Sequence, residues 1–265
     1  MGILNVTPDS FYDGGKFLSL TSALKQVEKL ISEGADIVDI GGESSRPGTK
    51  PIPVEEELSR VIPVIKEIKK RFKVTLSIDS YKYEVVKQSL ENGVEIINDI
   101  YSLRYSPEIV SLLKQFPKTK IILMHMQGNP TTMQINPRYK NVVDEIKNFF
   151  KERVKYLNSH GINNNRIILD PGIGFGKTTK HNLEILKNLE RFKILKGKQF
   201  PLLIGLSRKS FIGRILGSEE KPLPPEDRYE GTIILHTYAL LKNVDIIRTH
   251  DVKPVAHAIK LLKHL

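Results

Sequence analysis

Cysteine and tryptophan are both absent from the 265 residues. Without cysteine the chain can form neither disulfides nor thiolate metal sites, which suits a reducing cytoplasm. Long apolar runs are missing as well. No stretch approaches the length that crosses a bilayer, and the opening MGILNVTPDS lacks the basic start and apolar core of a secretion signal. A cytoplasmic protein with no membrane partner is expected. No run of Pro, Gly or Ser divides the chain and no internal repeat is visible, so one domain over residues 1–265 is expected.

What the chain does have is 40% hydrophobic content, enough for a full core, and a net charge of +11. That charge raises a nucleic-acid partner. Binding of that kind needs a basic stripe interleaved with exposed aromatics. Here Lys and Arg are scattered, as in KEIKKRFK (66–73) and LKNLERFKILKGK (186–198), on the polar sides of amphipathic segments. Small anionic substrates account for the sign equally well, and no nucleic-acid partner is expected.

Short β-branched runs alternate with amphipathic helical stretches, the pattern of parallel βα units. The strands are GILNV from Gly2, DIVDIG from Asp36, VTLSID from Val74 and EIIND from Glu95. KIILMH from Lys120, RIILD from Arg166, LLIGLS from Leu202 and DIIRTH from Asp245 complete the set. Eight βα units in a chain of this length predict an α/β fold, a single closed (β/α)8 TIM barrel with its active site at the C-terminal rim of the strands.

That rim gathers polar groups distant in sequence: Asn5, Asp39 with Glu43, Asp79, Asn98 with Asp99, His125, Asp170, Ser207 with Lys209, and Arg248 with His250. Each has a plainer reading as a helix cap or a satisfied loop group. Asp39 and Asp99 fit that reading and are set aside, and a lone His125 reads as a hydrogen-bonded near-core histidine. Ser207, Arg208, Lys209, Arg248 and His250 lie at the ends of strands seven and eight, where such barrels often hold phosphate, although SRKS could also simply cap a helix. Asp79, Asn98 and Asp170 present two carboxylates and an amide, which suit a flat heterocycle with a guanidine-like edge.

DPGIGFGK (170–177) looks at first like a nucleotide cradle. A P-loop requires a glycine five positions before Gly176, and Pro171 stands there; Gly172, Gly174 and Gly176 also miss the dinucleotide spacing. The glycines instead let backbone pass close to a planar ring beside Asp170.

MGILNVTPDSFYDGG at the start, GGESSRPG (41–48), SIDSYK (77–82), INDI (97–100), MHMQG (124–128), DPGIGFGK, GLSRKSFIG (205–213) and RTHDV (248–252) together resemble the dihydropteroate synthases of the pterin-binding family. The resemblance runs in order from residue 1 to about residue 252. It implies a folate-pathway transferase that joins p-aminobenzoate to hydroxymethyl-dihydropterin pyrophosphate and releases pyrophosphate, with magnesium as cofactor and a homodimer as the assembly. Asp79, Asn98, Asp170 and Lys209 are implied to hold the pterin, with Met124 packing in its pocket. Asn5, Arg248 and His250 are implied for the pyrophosphate, Asn5 also reaching the magnesium ion, with Arg248, His250, Lys209 and Asn5 as the catalytic set. Ser45, Arg46, Pro47, Phe11, Phe175 and Ser210 are implied for the aminobenzoate, brought in by loops 7–15 and 43–48.

Two departures stand out. Ser44-Ser45-Arg46 replaces the usual Ser-Thr-Arg, losing a methyl and keeping the hydroxyl. Family members also usually carry a short hairpin before the first strand, where this sequence opens on the strand, which leaves open both how the barrel floor is covered and whether the start is complete. A methyltetrahydrofolate-dependent methyltransferase of the same barrel is the nearest rival. It would share the pterin carboxylates but have no use for a pyrophosphate site at Asn5, Lys209, Arg248 and His250.

Overall fold

A computed structural model describes residues 1–6, 15–45 and 48–265, with the side chains of residues 15–19 outside the described set. Six parallel strands follow one another in chain order: Gly2–Asn5, Ile37–Gly41, Thr75–Asp79, Ile96–Asp99, Lys120–Met124 and Ile167–Asp170. The seventh and eighth barrel strands, Leu203–Gly205 and Ile246–Arg248, pair parallel with each other. Two seams close the ring. Leu169 N donates to Pro201 O at 2.9 Å, while Ile3 N donates to Thr249 O and Thr249 N to Met1 O, each at 3.0 Å. All eight expected strands are therefore present in a closed parallel barrel. A further two-residue hairpin, Ile194–Leu195 with Lys198–Gln199, precedes the seventh strand.

Side chains alternate between the barrel interior and the layer beneath the helices, as the two-residue period of a strand requires. In the fifth strand Ile121 and Leu123 join the large outer core, whereas Ile122 packs inside with Ile96, Ile168 and Leu203. Met1, Ile37 and Ile246 pack against that inner cluster, so the lower barrel is filled by aliphatic groups. The same parity carried one step up each strand turns Asp39, Asn98, Met124 and Asp170 inward at the top.

Amphipathic helices cover the outside, among them Gly15–Ser32, Val54–Arg71 and Val142–Ser159. The helix 142–159 begins under Asn141, whose side chain accepts from Val143 N and Asp144 N, and its chain reverses just beyond through Gly161 at φ +82°. No helix among the described residues is long and apolar enough to cross a membrane.

Candidate active site

Arg248 ends the eighth strand opposite Gly205 of the seventh. A Cβ on Gly205 would stand 3.8 Å from that of Arg248, an ordinary contact, and the Arg248 side chain runs from there across the barrel mouth. There Nε donates to Asp39 Oδ2 at 2.6 Å and Nη2 donates to Asp79 Oδ2 at 2.7 Å. Asn98 Nδ2 donates to the same Asp39 oxygen at 3.0 Å. Four strands are thereby joined through one charge cluster. Asn5 faces it from the first strand: its Oδ1 and Asp79 Oδ2 lie 3.8 and 3.9 Å from where a Cβ on Gly41 would stand.

Asp170 Oδ1 accepts from Gly172 N at 2.8 Å, and the aspartate's carbonyl holds His125 N at 2.9 Å. Gly172 has φ +67°, and a Cβ there would lie 2.0 Å from His125 O, so this turn admits only glycine. The following loop lays Phe175 against Lys209, whose Nζ stands 4.2 Å from the ring centroid. Met124 and Phe175 belong to one apolar cluster with Tyr81, Ile100, Met126 and Met133. The mouth thus has an acidic centre, a cationic side at Lys209 and Arg248, and an apolar wall.

Burial shapes the charges. It pushes Asp79 up, against the pull of Arg248, and pushes Asp170 up, against the Gly172 N–H and Lys209. Burial and then repulsion from Arg248 lower Lys209 to about 8, with Asp170 pulling the other way. For Arg248 burial is outweighed by Asp39 and Asp79, which hold it more firmly protonated than usual.

Of the residues expected from the sequence, Asp79, Asn98, Arg248 and Asn5 converge at one end of the mouth, and Asp170, Met124, Phe175 and Lys209 at another. His250 Nδ1 lies 2.9 Å from Ser207 Oγ, and Ser210 opens the helix Ser210–Leu216 as an exposed residue. Ser45 is half-buried in the second loop. Phe11, Arg46 and Pro47 lie outside the described residues.

Two expectations change, at Asp39 and Arg208. Asp39 is no cap: it is fully buried and shared by Arg248 and Asn98, and its Oδ1 has no hydrogen-bond partner. The signal was available, because a carboxylate in mid-strand is too far from any helix start to cap one. Arg208, grouped with the anion site, instead makes a two-pronged pair with Asp251 at 3.2 and 2.9 Å. Lys177 is buried as a strut, its Nζ within 3.2 Å of His125 Nδ1, His125 O and Phe175 O. Asp99 and His125 keep their plainer readings: Asp99 accepts from Tyr101 N and Leu103 N, and burial followed by Lys177 holds His125 neutral, down to about 2.

Residues 1–250 match the family of pterin binding enzymes. A dihydropteroate synthase of Synechocystis is 43% identical over 261 residues, covering 98% of this chain and 88% of that protein. The chain belongs to the dihydropteroate synthase family. As a dihydropteroate synthase family member it is a transferase of folate biosynthesis. The Escherichia coli K12 dihydropteroate synthase is likewise 43% identical, over 99% of this chain and 90% of its own. In three dimensions the Yersinia pestis dihydropteroate synthase, solved with a sulfonamide drug, superposes with a TM-score of 0.90 at 40% identity, covering 99% of this chain and 92% of the other. The Xanthomonas albilineans dihydropteroate synthase, solved with 7,8-dihydropteroate, gives 0.86 at 37% identity, covering 99% and 91%.

Proposed function

We propose that this chain condenses p-aminobenzoate with hydroxymethyl-dihydropterin pyrophosphate, and that the mouth between Asp170 and Arg248 is where it does so. The observation that carries the reading is the Arg248 guanidinium spanning Asp39 and Asp79, with Lys209 and Asp170 facing it. A flat ring rich in N–H donors finds acceptors in Asp170, Asp79 and the unpartnered Oδ1 of Asp39, while Asn98 fixes Asp39. Met124 supplies an apolar floor and Lys209 a donor from the rim.

The pyrophosphate then falls to Asn5, Arg248 and His250. As the bond from the pterin methylene carbon to oxygen breaks, its electron pair leaves with pyrophosphate, and Arg248 and His250 stabilise the growing negative charge. Positive charge left on the pterin is delocalised into its ring, among the carboxylates of Asp39, Asp79 and Asp170. The neutral aniline nitrogen forms the new bond and then gives its proton to solvent, so no strong base is required beforehand. Ser45, Arg46, Pro47, Phe11, Phe175 and Ser210 are the proposed contacts for the aminobenzoate.

Among the described residues no three His, Cys, Asp or Glu are grouped to hold a metal. Magnesium does not require such a cluster, because it keeps several waters and is commonly held by few protein oxygens together with substrate phosphates. Asn5 Oδ1 is the proposed protein oxygen, and magnesium bound there with pyrophosphate would supply neutralising charge. A homodimer is supported by exposed Ile234, Leu241 and Leu261 on the last two helices, Tyr229–Leu241 and Val252–Leu262. A cytoplasmic setting for one domain of 1–265 completes the proposal. Crystals grown with the pterin pyrophosphate test it: ring density between Asp170 and Arg248 supports the site, and density elsewhere overturns it.

A further inference from the structure

Lys82 lies three residues beyond Asp79 and is buried, 6% exposed. Its Nζ donates to Glu43 Oε2 at 2.7 Å and to Ile52 O at 2.6 Å, and lies 2.7 Å from Glu57 Oε2. Glu43 opens the second loop and Ile52 closes the segment 43–52 that contains it. Glu43 Oε2 also accepts from Ile52 N at 2.8 Å, and Glu43 Oε1 accepts from Tyr81 OH at 2.7 Å. Both backbone groups of Ile52 are therefore held by the Glu43–Lys82 pair, which fastens the loop root to the segment carrying Asp79.

The second helix is drawn into the same knot. A Cβ on Gly42 would stand 2.7 Å from Val61 Cγ1 and 2.9 Å from Glu57 Cγ, so the missing side chain lets the helix bring Glu57 beneath the loop. Burial raises Glu57 while Lys82 pulls it back, and burial of Lys82 is outweighed by Glu43 and Glu57, which keep it charged. One ammonium between two buried carboxylates is held in place by the loss incurred when any member is removed. Lys82 itself touches neither Arg248 nor Asp170; the knot borders the mouth through Tyr81, which packs in the apolar cluster of Met124 and Phe175, and through the charge of Glu57 near Asp79, while its hold on Glu43 and Ile52 acts on the loop.

We propose that Lys82 is a positioning residue: by tying Glu43, Ile52 and Glu57 together it fixes the root of the 43–52 loop against the Asp79 strand and so sets the aminobenzoate half of the site. The inference rests on the reading that this loop serves the aminobenzoate.

Lys82→Met, studied as the full chain, is tested by hydrogen exchange followed by mass spectrometry and by steady-state kinetics. Exchange in residues 48–52 is expected to accelerate about tenfold or more while residues 75–79 keep their protection. The KM for p-aminobenzoate is expected to rise about tenfold, that for the pterin pyrophosphate to stay within about threefold, and Lys82→Arg to recover much of the difference. Unchanged exchange at 48–52 overturns the anchor. Parallel rises in both KM values overturn the positioning role, because a merely structural lysine moves both. Should Lys82→Met fail to fold, Glu43→Gln carries the same expectations and the same contradictions. Absence of amine-dependent turnover in the unsubstituted protein is a different result: it overturns the functional reading, and exchange alone then decides the anchor.

Discussion

Asp39 Oδ2 lies 2.6 Å from Arg248 Nε, a contact that closes the second strand onto the eighth across the barrel mouth. The aspartate is fully buried and the arginine partly so, so the carboxylate has no water as a substitute partner. Breaking such a pair by removing one member typically costs about 3–5 kcal/mol.

Asp39→Asn keeps the shape of the side chain and removes its charge. We expect kcat/KM to fall about 100-fold, ~2.7 kcal/mol of transition-state stabilisation. Arg248 would then depend on Asp79 alone. Steady-state kinetics with both substrates check this, and a loss under about threefold would show that the contact has no part in the reaction.

Lys209 sets a pH limit. Its ammonium, lowered to about 8 by burial and Arg248, is charged below that value and neutral above it. Affinity for the anionic pterin pyrophosphate is therefore expected to weaken as pH rises through about 8. Lys209→Arg should move that limb upward, since a guanidinium holds its proton. Calorimetric titration from pH 6.5 to 9.5 reads both effects.

His236 lies buried in the helix Tyr229–Leu241, with no hydrogen-bond partner on either ring nitrogen. Burial lowers it to about 4. The unfolded chain takes up this proton near pH 6.5 and the folded one only near 4, so stability declines as pH falls across that window. His236→Leu removes this share of the acid loss and about 1 kcal/mol of unsatisfied polar burial. Denaturant midpoints at pH 5 and pH 7.5 should both rise, the former by more.

Gly172→Ala places a methyl 2.0 Å from His125 O at a φ of +67°. A loss of about 3 kcal/mol or more is expected from strain and overpacking together. Pterin affinity should fall with it, because Gly172 N is what orients Asp170. A melting temperature and ligand titration within error of the unsubstituted protein would contradict the arrangement.

Much of this was legible in the sequence, for identifiable reasons. The eight strands announce themselves because a parallel strand buried on both faces reads as an apolar run, and IILD and IILM do so plainly. Asp79, Asn98 and Asp170 were legible because polar groups closing such runs face the rim. For Asp39 the mid-strand position argues against a cap, but its inward direction is not legible: strands apolar on both faces hide their parity, and Val38 and Ile40 do not by themselves say which way their neighbour points. Arg208 was misread because its neighbour Lys209 turns inward while Arg208, at φ +54°, turns to Asp251, a reversal no spacing rule conveys. Lys82 was invisible as an anchor because its partners Glu43, Ile52 and Glu57 lie 25 or more residues away and meet it only in the folded chain.

The decisive measurement is pyrophosphate release by the purified protein, given magnesium, hydroxymethyl-dihydropterin pyrophosphate and p-aminobenzoate. Release is expected to depend on the amine and to match dihydropteroate formation mole for mole. Release that ignores the amine, or none under conditions where the protein is folded, would contradict it.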